Sequence, residues 1–316
     1  MPTPAMSFEV MQEAVNLTEK YGSHYLAAKA TGLNRNKLRY QYNKACNMGI
    51  KPTFRREEIK PHRMQRLGRV HMVIPDVQSK PGVRNEHLEW IGNYAVEKKP
   101  DVIICIGDFW DFPSLSSYDK GKLCFEGRRY IHDVKAGRAA MEKLLKPIDD
   151  YNRANSKNPY KPRRVFTLGN HEIRLERLVD DNPEYEGKFS IQDLGIKTDY
   201  GWEQHDFLKV VKIDGIEYAH YFTSGVMGRP VSSAAALLRE RQGSATMGHV
   251  QYTDHAIHKK TQQRAMFCGT CYLHDEHYLG AQGNSQRRQI IMKHEVNDGL
   301  YDLMEVSLGF LEKSYS

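Results

Sequence analysis

Val102-Ile103-Ile104-Cys105-Ile106-Gly107-Asp108-Phe109-Trp110-Asp111 is the stretch on which the fold turns. Its apolar run has strand length and ends on glycine, so it reads as a buried strand with Asp108 just past the carboxyl end. The same grammar recurs twice. His71-Met72-Val73-Ile74-Pro75 leads into Asp76, and Arg164-Val165-Phe166-Thr167-Leu168 leads into Gly169 and Asn170. In an open α/β sheet, ligands gather outside the carboxyl ends of the strands, so these three strand ends can converge on one crevice. A pair of divalent cations needs a bridging carboxylate flanked by oxygen and imidazole donors from separate strands, and Asp108 is placed to be that bridge. Gly-Asp and Gly-Asn turns account for each fragment singly, but not for their order.

Further on, His220 and Gly248-His249-Val250-Gln251 extend the series that begins with Asp76-Val77-Gln78, Gly107 to Asp111 and Gly169-Asn170-His171-Glu172. The series resembles the calcineurin-like metallophosphoesterases, whose pattern is DxH, GDxxD, GNHE or GNHD, a lone His, then GHxH, and the likeness runs from about residue 70 to about 310. The resemblance implies an α/β fold, a four-layer α/β/β/α metallophosphoesterase sandwich over residues 70–316. It also implies two divalent metal ions, one held by Asp76, Gln78, Asp108 and Gln251, the other by Asp108, Asn170, His220 and His249.

Where the family has histidines in its first and last motifs, this chain has Gln78 and Gln251, both serving the same metal. Two carboxylates and two amide oxygens make a hard, oxygen-rich site that favours Mn or Mg, with Fe or Zn as alternatives. Two other readings stay open: that this site is empty at rest, and that the glutamines are buried hydrogen-bond bridges. By the same resemblance His171 is the general acid or charge stabiliser at the leaving oxygen. Glu172 is expected to orient it, and Asp111 to do likewise for a histidine. Arg174, read as one turn into a helix starting near His171, either grips phosphate with its planar fork or joins Glu176 and Arg177 on a solvated face.

With 316 residues and 40% hydrophobic content the chain can bury a full core. No apolar run approaches a membrane span and residues 1–21 lack a signal-peptide core, so the expectation is a cytoplasmic protein of a bacterium or phage-infected host, with no membrane partner. Gly107 to Lys120 and Gly201 to Phe207 also look like segments of bacteriophage phosphoesterases. Five scattered cysteines argue against a disulfide framework. Cys268, Cys271, His274 and His277 crowd together without the separated second pair of a structural zinc site, so they are read as a strand entering a turn.

Residues 1–50 form a separate all-α module. Ser23 to Tyr42 resembles a helix-turn-helix, with Ala27, Ala28 and Ala30 for close packing, Gly32 in the turn, Leu33 and Leu38 as anchors and Asn34 as cap. Its second helix displays Arg35, Asn36, Lys37, Arg39, Gln41 and Tyr42, types that read base edges or grip phosphates. An ordinary three-helix interaction module is the alternative. Residues 51–69 read as an extended basic linker, and a net charge of +7 with pI near 9.0 suits a polyanion. Within the enzyme domain, helices are expected over 85–99 and 128–151, and a hairpin over 207–222 about Asp214-Gly215 with His220 on the returning strand. The combined expectation is a phosphodiesterase or nuclease acting on DNA. The alternatives are a phosphomonoesterase, and a DNA-binding protein with a degenerate phosphoesterase domain.

Overall fold

The computed structural model describes residues 6–53, 68–276 and 280–316, without the side chains of 281 and 282. Most of the expected linker, at 54–67, lies outside the described residues, as does His277. The chain divides into two compact units, Met1–Gln65 and Arg66–Ser316. Among the described residues no helix is long and apolar enough to cross a membrane.

The first unit is three helices, each started by a polar cap worth about 1 kcal/mol. Ser7 accepts from the Val10 N–H to open α1 (Phe8–Tyr21), and Ser23 from the Leu26 N–H to open α2 (His24–Thr31). Asn34 accepts from the Asn36 and Lys37 N–H groups to open α3 (Arg35–Asn47). Ala14, Ala27, Ala28 and Leu38 form one small core, and Met11, Val15 and Ala45 another. Ala30 and Leu33 do not pack as expected: both are exposed. An eight-residue α2 turns only its Ala27-Ala28 face inward, and Leu33 sits in the turn, so Leu38 without Leu33 anchors the first half of α3 and Ala45 the second. The start of the linker is tied to α1, since Gln12 donates to the Lys51 carbonyl (2.8 Å) and Asn16 Oδ1 accepts from the Thr53 N–H (3.0 Å).

In the second unit β1 (Arg69–Ile74), β2 (Val102–Cys105), β3 (Arg163–Thr167) and β4 (Glu203–His205) run parallel. β12 (Gln289–Asn297) and β13 (Leu300–Ser307) join the free edge of β1 antiparallel, giving the order β13-β12-β1-β2-β3-β4. The other sheet holds β5 (Val211–Ile213), β6 (Ile216–Tyr218), β9 (Ala245–Met247), β10 (Thr253–Ile257) and β11 (Arg264–Cys268), in the order β10-β11-β9-β6-β5. β7 (Thr223–Ser224) and β8 (Arg229–Pro230) form a short ribbon.

Side-chain alternation sorts each strand between layers. Val70, Met72, Ile74, Ile103 and Cys105 face α4 (Glu86–Lys98), α5 (Tyr130–Ala154) and α9 (Leu308–Tyr315), meeting Trp90, Ile91, Met141, Leu144 and Leu311. Val73, Val102, Ile104 and Val165 face the other sheet and pack on Ile213, Ile216, Tyr218 and Met266. On that sheet's far side Ala245, Met247, Ala265 and Phe267 pack on Ala234 and Leu237 of α7 (Ala234–Arg241). The result is the four-layer α/β/β/α sandwich. Cys268 packs between the sheets and Cys271 on the helix side of the first sheet, both fully buried.

Two boundaries differ from expectation. The hairpin turns at Asp214-Gly215 (φ 47° and 86°), but its second strand stops at Tyr218, so His220 lies beyond the strand end. α6 (Arg174–Asp181) begins at Arg174 rather than near His171, and in the turn before it the Gly169 and His171 N–H groups bond the Glu172 and Asp108 carboxylates. The remaining helix, α8 (Gly280–Gly283), is a single turn.

Candidate metal centre

Five strand ends deliver the site. β1, β2 and β3 present Asp76, Asp108 and Asn170 from one sheet, and β6 and β9 present His220 and His249 from the other. Close approach at this seam demands glycine. A Cβ on Gly169 would lie 2.1 Å from Asp108 Oδ1, and one on Gly248 would lie 2.4 Å from Asp76 Oδ1. Gln78, Asp108, His249 and Gln251 all adopt positive φ (45°, 51°, 68° and 61°), a backbone region that non-glycine residues occupy at a cost and that clusters at functional sites.

The imidazole half is assembled. Donor atoms of Asp108, His220 and His249 all lie within 4.8 Å of one another. Asn170 Oδ1 lies 2.9 Å from His220 Nε2 and 2.7 Å from His249 Nδ1, and Asp108 Oδ2 lies 3.3 Å from His220 Nε2. His220 Nδ1 donates to the Ile106 carbonyl (2.9 Å). A carbonyl only accepts, so that bond puts the proton on Nδ1 and leaves the Nε2 lone pair facing two further acceptor oxygens. Such a convergence calls for a cation or an extra proton. The charges respond accordingly: against the burial that would lower it, Asp108 and Asp76 hold His220 up at about 9. Burial tends to raise Asp108, yet His171 and His220 hold it well below the usual carboxylate range. Burial and the neighbouring Asp108 charge push Asp76 up to about 7. Burial and the His220 charge push His249 down to about 4. The residues of this half therefore fit a divalent metal ion.

The oxygen half is arranged differently. Asp76 is fully buried and both its oxygens accept from the His249 N–H at 3.1 Å. Gln78 is also buried, its backbone N–H donating to the Asp108 carbonyl (2.8 Å), while its Nε2 meets no hydrogen-bond partner among the described residues. Gln251 Oε1 accepts from the Tyr272 hydroxyl (3.2 Å), which in turn accepts from Gln286 Nε2 (2.6 Å).

Beside Asp108 stands His171. Its N–H donates to Asp108 Oδ1 (2.9 Å), and its Nδ1 lies 2.9 Å from both the Asp111 carbonyl and Asp111 Oδ1. Asp111, not Glu172, therefore orients this ring. Glu172 is occupied otherwise: Oε2 accepts from the Asp108 and Gly169 N–H groups and Oε1 from those of Phe109 and Trp110, at 2.7 to 3.0 Å. Arg174 donates to the Asp111 and Phe112 carbonyls (2.7 and 3.2 Å) and reaches His171 Nε2 at 3.2 Å, so it braces this turn and faces the ring rather than joining a solvated helix face. Two contributors carry no motif. Lys80 pairs with Asp111 (2.9 Å) and Glu276 (2.6 Å), and Tyr221 lies 4.6 Å from the His249 ring, centroid to centroid. Tyr221 follows His220 directly, which was its only sequence signal.

Arg35, Asn36, Lys37 and Arg39 lie exposed on α3 in the other unit, with Gln41 and Tyr42 half-buried. The Arg35 guanidinium stacks 5.3 Å from the Tyr25 ring centre.

This chain belongs to the calcineurin-like phosphoesterase family, whose sequence profile matches residues 70–256, more than half of its length. Membership indicates a hydrolase that acts on phosphoester bonds with divalent metal ions. Among solved structures it is similar to wild-type Vps29 complexed with Zn²⁺ from Entamoeba histolytica, at 12% identity over 76% of this chain and 99% of that one, with a TM-score of 0.31. A second solved structure matches at 10% identity over the same shares, with a TM-score of 0.33. No curated protein matches this chain.

Proposed function

We propose that this protein is a divalent-cation-dependent phosphodiesterase that cleaves DNA, with Mn as the preferred ion and Mg, Fe or Zn as alternatives. The observation that carries the reading is the meeting of Asp108, His220 and His249 donor atoms within 4.8 Å, with Asn170 Oδ1 against both rings. In the proposed centre Asp108 is the shared carboxylate, Asn170, His220 and His249 serve one cation, and Asp76, Gln78 and Gln251 serve the other. These residues would hold divalent cations, whose chemistry there would be to lower the pKa of a nucleophilic water and to neutralise the phosphate oxygens.

The chain's own groups do the rest. His171 turns Nδ1 to Asp111, which leaves Nε2 to face the leaving oxygen, and Nε2 has a proton to give in the imidazolium form that Asp108 and Asp111 favour. Arg174, now 3.2 Å from that nitrogen, is close enough to meet the same oxygen as charge develops. Glu172 acts indirectly, fixing the backbone from which Asp108 projects. The DNA reading is supported by the exposed basic face of α3, a helix-turn-helix-like arrangement in which Arg35, Asn36, Lys37, Arg39 and Gln41 contact the duplex, and by the net charge of +7. A bacterial or phage-infected cytoplasm is the setting that fits.

Cleavage of single- and double-stranded DNA and of bis-p-nitrophenyl phosphate by the full chain with Mn²⁺ tests the proposal. Asp108→Ala should retain less than about one-thousandth of the wild-type rate, since one side chain serves the whole centre. Undiminished rates in that variant would refute the assigned centre. Faster turnover of a phosphopeptide than of DNA would make the protein a phosphomonoesterase. A gel shift without hydrolysis of any of these substrates would make it a DNA-binding protein with a degenerate domain.

A further inference from the structure

The two halves of the centre differ in readiness. On one side three nitrogen or oxygen donors of charged or imidazole groups already face one point, and His220 is locked in the ligating tautomer by the Ile106 carbonyl. On the other side Asp76 and the shared Asp108 are the charged groups, and the two remaining positions are neutral amides. The Gln251 amide is not poised. The carbonyl oxygen of Gln251 is engaged by the Tyr272 hydroxyl, and that hydroxyl is itself fixed by Gln286 and by a ring stacked 4.6 Å from His274. His274 is held by Glu276 (2.8 Å), and Glu276 by Lys80. The clamp on Gln251 is thus part of a connected network rather than an isolated hydrogen bond. Gln78 is sealed from solvent, and its amide nitrogen meets no hydrogen-bond partner among the described residues.

We propose that the halves load in sequence: the chain by itself holds one divalent cation at Asp108, Asn170, His220 and His249, and admits a second at Asp76, Gln78 and Gln251 only when a substrate phosphate completes its coordination. This rests on the centre proposed above. Hard cations such as Mg²⁺ and Mn²⁺ suit such an arrangement, because they bind through one or two carboxylates together with the phosphate they act on. Loss of both imidazoles should weaken the second position at least about 100-fold relative to the first. The order has a consequence for the reaction: because the second position would fill only with the phosphate, activity depends steeply on free metal.

Equilibrium dialysis of the full chain against Mn²⁺, with bound metal measured by mass spectrometry, reads the stoichiometry without using activity. One ion per chain is expected with Mn²⁺ alone and two when inorganic phosphate is added, with the electron paramagnetic resonance spectrum changing from that of an isolated ion to that of a coupled pair. Gln78→His combined with Gln251→His should bind two without phosphate. Should that variant fold poorly, the phosphate comparison on the unaltered chain decides alone. Two ions of equal affinity in the unaltered chain without phosphate, or one ion regardless of phosphate, overturns the loading order while leaving hydrolysis standing. No bound ion and no cleavage together would instead overturn the proposed function.

Discussion

Glu172 spends a fully buried carboxylate on four backbone N–H groups, those of Asp108, Phe109, Trp110 and Gly169. The bonds tie the ends of β2 and β3 together and hold Asp108 in its left-handed conformation. Glu172→Gln keeps the shape but turns an amide NH₂ toward two of these donors, leaving them unpaired at about 1–3 kcal/mol each. A chemical denaturation midpoint well below wild type is expected, with weaker metal uptake by dialysis; a variant as stable as wild type would show the clamp to be dispensable. Reading neighbours in sequence pairs Glu172 with His171, but adjacent residues in a turn point apart, and His171 takes its partner from the β2 loop at Asp111. The meeting of Asp108, Asn170 and His249 was legible because an apolar strand end and a glycine precede each. Lys80, Tyr221 and Tyr272 were not, since no motif marks a side chain recruited only by the loop that carries it.

Between the sheets an apolar layer encloses Lys293 of β12, fully buried between the rings of Tyr218 and Tyr301 at 4.7 and 4.5 Å and donating to Thr246 Oγ1, with His71 of β1 also buried against Tyr218. Burial pushes the Lys293 amine down to about 7 from the ordinary value of 10.5. The sign follows: between those limits the unfolded chain binds the proton and the folded chain does not, so stability rises with pH from about 7 toward 10.5 and the contribution is absent at lower pH. Tyr218 and Tyr301, both raised by burial, oppose this only above their ordinary value near 10. Urea midpoints should therefore climb more steeply, or fall less, across pH 7 to 9 in the wild type than in Lys293→Met, which keeps the stem and removes this titration, while His220, held up at about 9, pulls both proteins down alike over the same window. Equal slopes in the two proteins would assign the rise to other groups. In the same layer Ile104→Ala should cost about 2–5 kcal/mol, since both sheets close on that side chain. β1 to β3 could be read from sequence because the run buried on both faces of each, Met72-Val73-Ile74, Val102 to Cys105 and Val165-Phe166, is apolar. The three-residue β6 and β9 are too short for their period to show, so the place of His220 beyond a strand end emerges only from the folded hairpin.

The molecule couples a phosphoesterase sandwich to a small helical unit whose exposed α3 carries Arg35, Lys37 and Arg39, while the chain as a whole carries +7. If the helical unit delivers DNA to the centre, binding and chemistry are separable by substrate size. Arg35→Glu, Lys37→Glu and Arg39→Glu together leave the caps Ser23 and Asn34 and the core residues Ala27, Ala28 and Leu38 untouched, so the unit should remain folded by circular dichroism. Each phosphate that the protein no longer neutralises takes about 0.9 from the slope of log affinity against log salt, so the triple variant should bind DNA more weakly with a slope shallower by about 2 to 3. Its turnover of bis-p-nitrophenyl phosphate should equal wild type, because that substrate spans no second unit, whereas its KM for DNA should rise with kcat little changed. An unaltered salt slope would mean that α3 does not touch DNA and that the positive charge elsewhere on the chain does. A fall in bis-p-nitrophenyl phosphate turnover with the fold intact would mean that the helical unit acts on the centre itself, and the delivery role would have to be given up.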